Sequence, residues 1–159
     1  MGGVLFLKNM DNLFTVAEIS VSYKPTNAHK PVINSSSVAA TIIRQFFPDG
    51  TIELQERFFA MYLNRANRVI GVYPVSVGGI TGTVADPRII LAVALKVLAT
   101  SIILFHNHPS GNIKPSRADE VLTGKIKQAA LLHDILVADH VILTSDEETY
   151  YSFADEGLI

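Results

Sequence analysis

Apolar residues recur at the spacing of an α-helix in three segments of the chain. The first follows a cap at one of the serines Ser35, Ser36 and Ser37 and continues to Phe47. The second begins at Asp86, and the third runs from Arg117 to about His133. Serine and aspartate are favoured just before a helix, because their side chains accept hydrogen bonds from its first free N–H groups. The pattern therefore predicts three helices, and the second has so broad an apolar face that we expect it to be mostly buried.

β-Branched and aromatic residues predominate in a second set of segments, most of which lie between the predicted helices. These segments predict strands over Leu13–Tyr23, Glu56–Leu63, Arg68–Val77, Ile102–Phe105, Ile135–Val137 with His140–Leu143, and Tyr150–Phe153. The short connection from Asn64 to Asn67 makes the second and third strands an expected antiparallel hairpin. Helices that alternate with strands predict the α/β class, with a mixed β-sheet flanked by α-helices. We expect a single domain over residues 13–159, preceded by an N-terminal tail at residues 1–12.

Two histidines separated by one residue follow the strand predicted at Ile102–Phe105. Residues i and i+2 of an extended segment point to the same side, so we expect His106 and His108 to lie side by side, where both can bind one metal ion. A loop with proline and glycine leads to Ser116, which begins the next predicted helix. From the first turn of that helix, Asp119 can turn back as a third ligand. Two histidines, one carboxylate and an open position are typical of a catalytic zinc site.

Each of these residues also has an interpretation that needs no metal. Ser116 and Asp119 suit the N-cap and the third position of a helix, where they stabilise its first turn. The two histidines are also compatible with partly buried side chains that form hydrogen bonds to the backbone. It is the occurrence of all four residues together that favours the metal site.

Three further histidines and one aspartate have less specific surroundings. Asp139 precedes His140 and is a candidate carboxylate for orienting a ligand histidine, although an aspartate before a strand is also common. His29 is expected in a solvated loop. His133 and His140 have no useful spacing and are expected to be structural or exposed.

Composition limits the classes of protein that these elements can form. The chain contains no cysteine, which excludes disulfides, cysteine-based zinc folds and the cysteine ligands of a zinc deaminase. Its formal charge is −2, so we do not expect it to bind nucleic acid tightly. No apolar stretch is long enough to span a membrane, and the N-terminal one is too short for a signal peptide. We therefore expect a cytoplasmic protein with no membrane partner.

The pattern His-x-His, seven residues, Ser-x-x-Asp, formed by His106, His108, Ser116 and Asp119, resembles the JAMM (MPN/JAB) family of metal-dependent hydrolases. The sequence His-Asn-His-Pro-Ser-Gly is similar to the RadC-like branch of that family, and the resemblance extends over about residues 20–159. It implies a curved mixed sheet with flanking helices, related to the cytidine-deaminase-like folds. It also implies a Zn²⁺ ion held by the two histidines and Asp119.

In that family the general base is a glutamate on a strand upstream of the histidines. Glu56 is the best match to it, and Glu53 is the alternative. The resemblance implies a zinc metalloprotease in which Glu56 accepts a proton from water, as the water attacks an amide carbonyl, and returns it to the leaving amine. Ser116 is expected to donate a hydrogen bond to the developing oxyanion. The substrate would be a peptide or protein, cleaved at a peptide or isopeptide bond.

Three other functions are compatible with parts of the sequence. The tripeptide His106-Asn107-His108 matches the name of a nuclease motif, but that motif is dispersed and the chain has no basic cluster. A zinc deaminase has a related fold but needs cysteine ligands. The principal alternative is a non-catalytic or DNA-repair-associated interaction module of the RadC type. We expect no counterpart here of the helix-hairpin-helix region found in full-length RadC-like proteins.

Overall fold

A five-stranded β-sheet lies at the centre of the computed structural model, which describes residues 17, 19–78 and 84–159. The elements follow in the order α1 (Ser36–Arg44), β1 (Arg57–Leu63), β2 (Val69–Val77), α2 (Pro87–Lys96), β3 (Ser101–Asn107), α3 (Arg117–Leu131), β4 (Leu136–Leu143) and β5 (Tyr150–Ser152). The strand order across the sheet is β2-β1-β3-β4-β5. β3 and β4 are parallel, and the other neighbouring strands, including the predicted hairpin, are antiparallel. The sheet is therefore mixed, which confirms the predicted fold class.

β3 is the middle strand, and all of its residues are buried. Alternate residues of a strand point to opposite sides of the sheet, and this separates the hydrophobic core into two halves. Ile102 and Leu104 pack on the side of α2 and α3. Ile103 and Phe105 pack on the opposite side, with α1. The same alternation directs His106 towards α2 and α3 and Asn107 towards α1. The end of β3 thus presents polar side chains to both halves of the core.

The three helices begin at the predicted residues. Ser35, Asp86 and Ser116 are the N-caps of α1, α2 and α3, and each side chain accepts a hydrogen bond from a backbone N–H in the first turn. The loss of such a cap typically costs about 1 kcal/mol. At α3, the Asp119 carboxylate accepts a hydrogen bond from the Ser116 N–H in return, which completes a capping box. The interpretation of these two residues as a helix cap is therefore correct.

The pairing of β4 with β3 shifts by one residue near its start. Val137 lies opposite Ile102 and Asp139 lies opposite Ile103, which leaves Ala138 as an extra residue. The sequence predicts an interruption between Ile135–Val137 and His140–Leu143. In the structure this interruption is a β-bulge within one strand, since the ladder continues on both sides of it.

The prediction that α2 is mostly buried is wrong. Only Ile90 and Ala94 are buried in this helix, whereas Ile89 is 41% and Leu95 is 47% exposed. Hydrophobic periodicity shows that a helix has an apolar face, but it does not show how much of that face the neighbouring elements cover. Among the described residues, α2 packs on the core through Ile90 and Ala94, with Leu91 and Val93 partly buried beside them, while its outer apolar side chains stay exposed.

The strand predicted at Leu13–Tyr23 does not form in the part of it that is described. Residues 19–23 are exposed and have no regular structure, and the order of the described strands ends at β2, so no further strand pairs there. Residues 13–16 and 18, like the predicted tail at residues 1–12, lie outside the described residues. Among the described helices, none has the length and apolar character needed to cross a membrane.

Candidate metal centre

Three polar side chains converge where β3 ends and α3 begins. His106 lies near the end of β3 and is fully buried, His108 is the first residue beyond that strand, and Asp119 lies in the first turn of α3. One ligand atom from each of these residues lies within 4.8 Å of the others. The structure thus brings together the three residues that the sequence predicts as metal ligands, and this group can hold a metal ion.

The distances within the group suit a tetrahedral ion. His106 Nε2 lies 2.9 Å from His108 Nε2, and Asp119 Oδ1 lies 3.3 Å from His106 Nε2. Asp119 Oδ2 lies 3.7 Å from His108 Nε2. Zinc with ligand bonds of about 2.0–2.2 Å places its ligand atoms about 3.3–3.6 Å apart. The three side chains therefore need only small shifts to surround such an ion.

The hydrogen bonds around His108 leave its Nε2 atom to face the other two ligands. His108 Nδ1 contacts the backbone carbonyl oxygen of Asn112, and a carbonyl only accepts hydrogen bonds, so Nδ1 carries a hydrogen and donates it. In the neutral ring Nε2 is then unprotonated and points towards His106 and Asp119. A positive charge between these electron-rich atoms would offset their mutual repulsion. The donor set thus fits a cation.

Charges within the group shift two pKa values in opposite directions. For His108, burial lowers the pKa, but hydrogen bonds to Asp119 and Asn112 and the charges of Asp119 and Glu56 outweigh it, so its pKa is raised. For Asp119, burial raises the pKa, but the close contacts of its carboxylate with the His106 and His108 rings hold the pKa of this carboxyl well below its usual range. Asp119 is therefore ionised at neutral pH, as a metal ligand must be.

Glu56 lies immediately before β1, which is paired with β3 at the level of His106. It is half-buried, whereas the alternative base Glu53 is exposed. Burial raises the pKa of Glu56, the charges of His106 and His108 lower it, and that of Asp119 raises it, with a net increase. Glu56 thus shares the electrostatic environment of the three candidate ligands. This favours Glu56 over Glu53 as the base.

Asn107, between the two histidines, fixes the backbone on both sides of Glu56. Its fully buried side chain accepts a hydrogen bond from Arg57 N at 2.7 Å. Its amide group donates to Ile52 O at 2.7 Å and to Gln55 O at 2.9 Å. Sequence reasoning missed this role, although an asparagine at the end of a buried, largely apolar strand is a signal that could have indicated it. The strand that carries the histidines therefore also holds the loop that carries the candidate base.

Ser116 takes part in the site through its cap. Its Oγ accepts a hydrogen bond from Asp119 N at 3.2 Å, and its N–H donates to Asp119 Oδ2 at 2.6 Å. The capping box thereby orients the Asp119 carboxylate, so the two interpretations of these residues are compatible. A hydroxyl that accepts a hydrogen bond keeps its own hydrogen for donation, which is what the predicted oxyanion role of Ser116 requires.

Asp139 and His140 both have structural roles, which are among the alternatives that the sequence leaves open. The Asp139 carboxylate accepts hydrogen bonds from His140 N, Ser152 Oγ and Ala154 N, so it holds β4 against the turn after β5 and orients no ligand histidine. His140 is fully buried, and its Nε2 lies 2.7 Å from Nδ1 of His106. Burial lowers the pKa of His140 well below its usual value, so the ring is neutral. Sequence spacing gave no sign of this contact, because it joins two strands 34 residues apart.

The two remaining histidines lie outside the site. His29 and His133 are both exposed, as predicted.

Comparison with known proteins gives a consistent assignment. The profile of the RadC-like JAB domain matches residues 33–158 of the chain. The chain is 44% identical over 126 residues to a UPF0758 protein of Flavobacterium johnsoniae, an alignment that covers 79% of this chain and 53% of that protein. It is 40% identical over 127 residues to a UPF0758 protein of Porphyromonas gingivalis, covering 80% and 54%, respectively. A UPF0758 protein of Streptococcus gordonii is 45% identical over 102 residues, covering 64% and 44%.

This chain spans about half the length of those curated relatives. The profile nevertheless includes β1, β3 and α3, the elements that form the candidate metal centre. The chain therefore belongs to the family of RadC-like JAB domains.

Proposed function

We propose that the chain is a zinc-dependent metallopeptidase that hydrolyses a peptide or isopeptide bond, with Glu56 as general base. The observation that carries this proposal is the convergence of three candidate ligands next to a half-buried glutamate. Nε2 of His106, Nε2 of His108 and the carboxylate of Asp119 lie within 4.8 Å of one another, and the half-buried Glu56 shares their electrostatic environment. Three ligands and a separate base are the parts that a hydrolytic metal site needs.

The type of ligand favours zinc over other common metal ions. Mg²⁺ and Ca²⁺ prefer oxygen ligands, whereas two imidazoles with one carboxylate are typical of catalytic zinc. Nitrogen ligands from His106 and His108 and oxygen from Asp119 match this set. Bound zinc supplies a Lewis acid that lowers the pKa of water to about 7.

The side chains around the ion then have distinct roles. Glu56 accepts a proton from the attacking water and returns it to the leaving amine, and its raised pKa makes it a stronger base than an exposed glutamate. Ser116 donates a hydrogen bond to the oxygen that becomes negative in the transition state, which typically contributes about 3–4 kcal/mol. Asn107 keeps Glu56 in reach by holding the backbone at Gln55 and Arg57.

We propose peptides or proteins as substrates, and no tight binding of nucleic acid or membranes. The net charge of −2 gives nucleic acid no general attraction. The alternative, a non-catalytic or DNA-repair-associated interaction module, would need neither the complete ligand set nor a glutamate beside it. Both functions can be separated by an assay for hydrolysis together with a measurement of DNA binding.

The test compares Glu56→Gln with Glu53→Gln in zinc-loaded protein. Zinc content is measured by metal analysis, and turnover is measured on libraries of peptide and isopeptide substrates. Glu56→Gln should keep the zinc but lose about 10²–10⁴-fold in kcat, because only proton transfer is removed. Glu53→Gln is the matched control and should behave like the unaltered protein, since Glu53 is exposed.

Three outcomes would contradict the proposal. Loss of zinc from Glu56→Gln would make Glu56 a ligand, and undiminished turnover would assign the base to another carboxylate. No hydrolysis of any amide, combined with sub-micromolar affinity for duplex DNA at physiological salt, would favour the interaction module.

A further inference from the structure

A chain of three hydrogen bonds connects two of the candidate ligands behind the metal site. Thr123 Oγ1 lies 2.6 Å from the backbone oxygen of Asp119 and 2.6 Å from His140 Nδ1. His140 Nε2 lies 2.7 Å from His106 Nδ1. Thr123, His140 and His106 are all buried. The chain therefore runs from α3 through β4 to β3, and its three linking side chains are buried.

When all three hydrogen bonds form together, each of them has only one possible direction. The backbone oxygen of Asp119 cannot donate, so the hydroxyl of Thr123 donates its single hydrogen to it. The oxygen of Thr123 is then an acceptor, and Nδ1 of His140 carries the hydrogen between them. His140 is fully buried with the rings of Phe58 and Phe153 against it, an environment that disfavours a charged imidazole, so its Nε2 accepts the hydrogen on Nδ1 of His106. The neutral ring of His106 consequently has no hydrogen on Nε2, the atom that faces Asp119 and His108.

We propose that Thr123 and His140 are positioning residues that hold His106 in the tautomer able to bind a metal through Nε2. A histidine ligand needs a partner for its second nitrogen, and in most metal sites this partner is a carboxylate, a backbone carbonyl or water. Here it is a second, neutral histidine whose own tautomer is set by a threonine. The identity of the metal as zinc rests on the proposed function. The tautomer of His106, in contrast, is set by the chain itself and does not depend on a metal.

The surroundings of His140 prevent the ring from turning to an alternative arrangement. Phe153 stacks on it with ring centres 4.8 Å apart, and Phe58 lies 5.5 Å from it on another side. Thr123 follows Asp119 by one helical turn on the same face of α3. The start of α3 therefore supplies both the candidate carboxylate ligand and the threonine that begins the chain of hydrogen bonds. A shift of α3 would therefore move Asp119 and the support of His106 together.

The test compares Thr123→Val with Thr123→Ser. Valine has nearly the same shape as threonine but no hydroxyl, so His140 loses the partner that selects its tautomer. Zinc affinity should fall about 10–100-fold, the usual effect of losing an outer hydrogen-bond partner of a metal ligand. Serine keeps the hydroxyl and should preserve the affinity within a few fold. Thermal melting of both variants with a chelator present verifies that the fold is intact.

A spectroscopic measurement tests the tautomer without relying on any variant. In the metal-free wild-type protein at alkaline pH, ¹⁵N NMR of the imidazoles should show Nδ1 protonated and Nε2 unprotonated in both His106 and His140. A spectrum with hydrogen on Nε2 of His106 would overturn the proposal. His140→Phe keeps an aromatic ring between Phe58 and Phe153 but removes the acceptor, and it should lose zinc affinity as Thr123→Val does.

Failure of this inference and failure of the proposed function give different results. If the protein binds zinc but cleaves no amide, the proposed function fails while the NMR and affinity results still decide the inference. If Thr123→Val folds, retains full zinc affinity and keeps the wild-type imidazole spectrum, the inference is wrong while the hydrolytic function stands.

Discussion

His106 and His108 are separated by one residue, yet the protein holds them in different ways. His106 lies within β3, is fully buried, and has His140 behind its ring. His108 lies beyond the strand, is partly exposed, and its ring contacts the carbonyl of Asn112 in the following loop. Its backbone is still tied to β4, since His108 N donates to Leu143 O at 2.9 Å.

The difference suggests that the two ligands contribute differently to the site. The core fixes the ring of His106, so this ligand is in place before a metal arrives. The ring of His108 depends on a short loop, in which Gly111 has a φ of +81°. We therefore expect His106 to set the position of a bound ion and His108 to adjust to it.

The largest expected effect separates the structural contributions of the two histidines. His106→Ala and His108→Ala should each abolish tight zinc binding, since each removes a ligand. In metal-free protein, His106→Ala should also lower the free energy of unfolding by about 2–5 kcal/mol, because it opens a cavity and leaves Nε2 of His140 without its partner. His108→Ala should change it by less than about 1 kcal/mol. Urea denaturation with a chelator measures both, and equal losses would contradict the comparison.

The next effect concerns the competition between protons and zinc at His108. The pKa of His108 is raised above its ordinary value of about 6.5, so the ring gains a proton as the pH falls through that raised pKa. Zinc affinity should therefore be greatest at alkaline pH and fall about tenfold per pH unit below the pKa, with one proton released for each ion bound. Isothermal titration calorimetry in buffers of different ionisation enthalpy counts that proton.

Asp119→Asn sharpens this pH experiment. Loss of the carboxylate removes an interaction that raises the pKa of His108, so the ring should lose its proton at lower pH. Zinc affinity should nevertheless be much weaker, because a charged ligand is lost. An unchanged pH dependence in this variant would show that Asp119 does not control the proton on His108.

The smallest expected effect tests the loop. Gly111→Ala places a side chain at a left-handed φ, which costs about 1–2 kcal/mol and should shift the Asn112 carbonyl that holds His108. Zinc affinity should fall by a factor of a few to about tenfold, measured by competition with a chromogenic chelator. Gly124→Ala in α3 is the matched control, since an added Cβ there meets nothing within 4 Å. It should leave zinc affinity unchanged and slightly stabilise the helix. Equal zinc affinities for both variants would show that the loop does not position His108 for zinc binding.

The sequence predicts well the features that depend on neighbouring residues. Ser35, Asp86 and Ser116 begin the three helices because capping is decided within one turn. That His106 and His108 face each other, with Asn107 on the opposite side, likewise follows from the alternation of side chains in an extended segment. The ligand group could be predicted because its members belong to two consecutive elements joined by a short loop.

The parts that could not be predicted depend on contacts between distant segments. His140 reaches His106 only because β4 pairs with β3, and Thr123 reaches His140 only because α3 packs on that sheet. Asn107 supports the Glu56 loop across 52 to 55 residues of chain. The exposure of α2 depends on how much of it the other elements cover. No local pattern contains this information.

The β-bulge at Ala138 has a consequence for which side chains β4 contributes to the site. Before the bulge, Val137 packs on the side of α2 and α3, and after it, Val141 packs on the side of α1. Residues four apart in a regular strand would share a side, so the extra residue inverts the phase of the strand. In the resulting register His140 lies opposite Leu104 and points towards α3, where Thr123 meets it. Val137 and His140 are three residues apart, a spacing that puts side chains on opposite sides of a regular strand, yet both face α2 and α3 because Ala138 is an extra residue between them. Deleting Ala138 should therefore give a regular ladder in which Val137 and His140 keep their sides, since they already lie opposite Ile102 and Leu104.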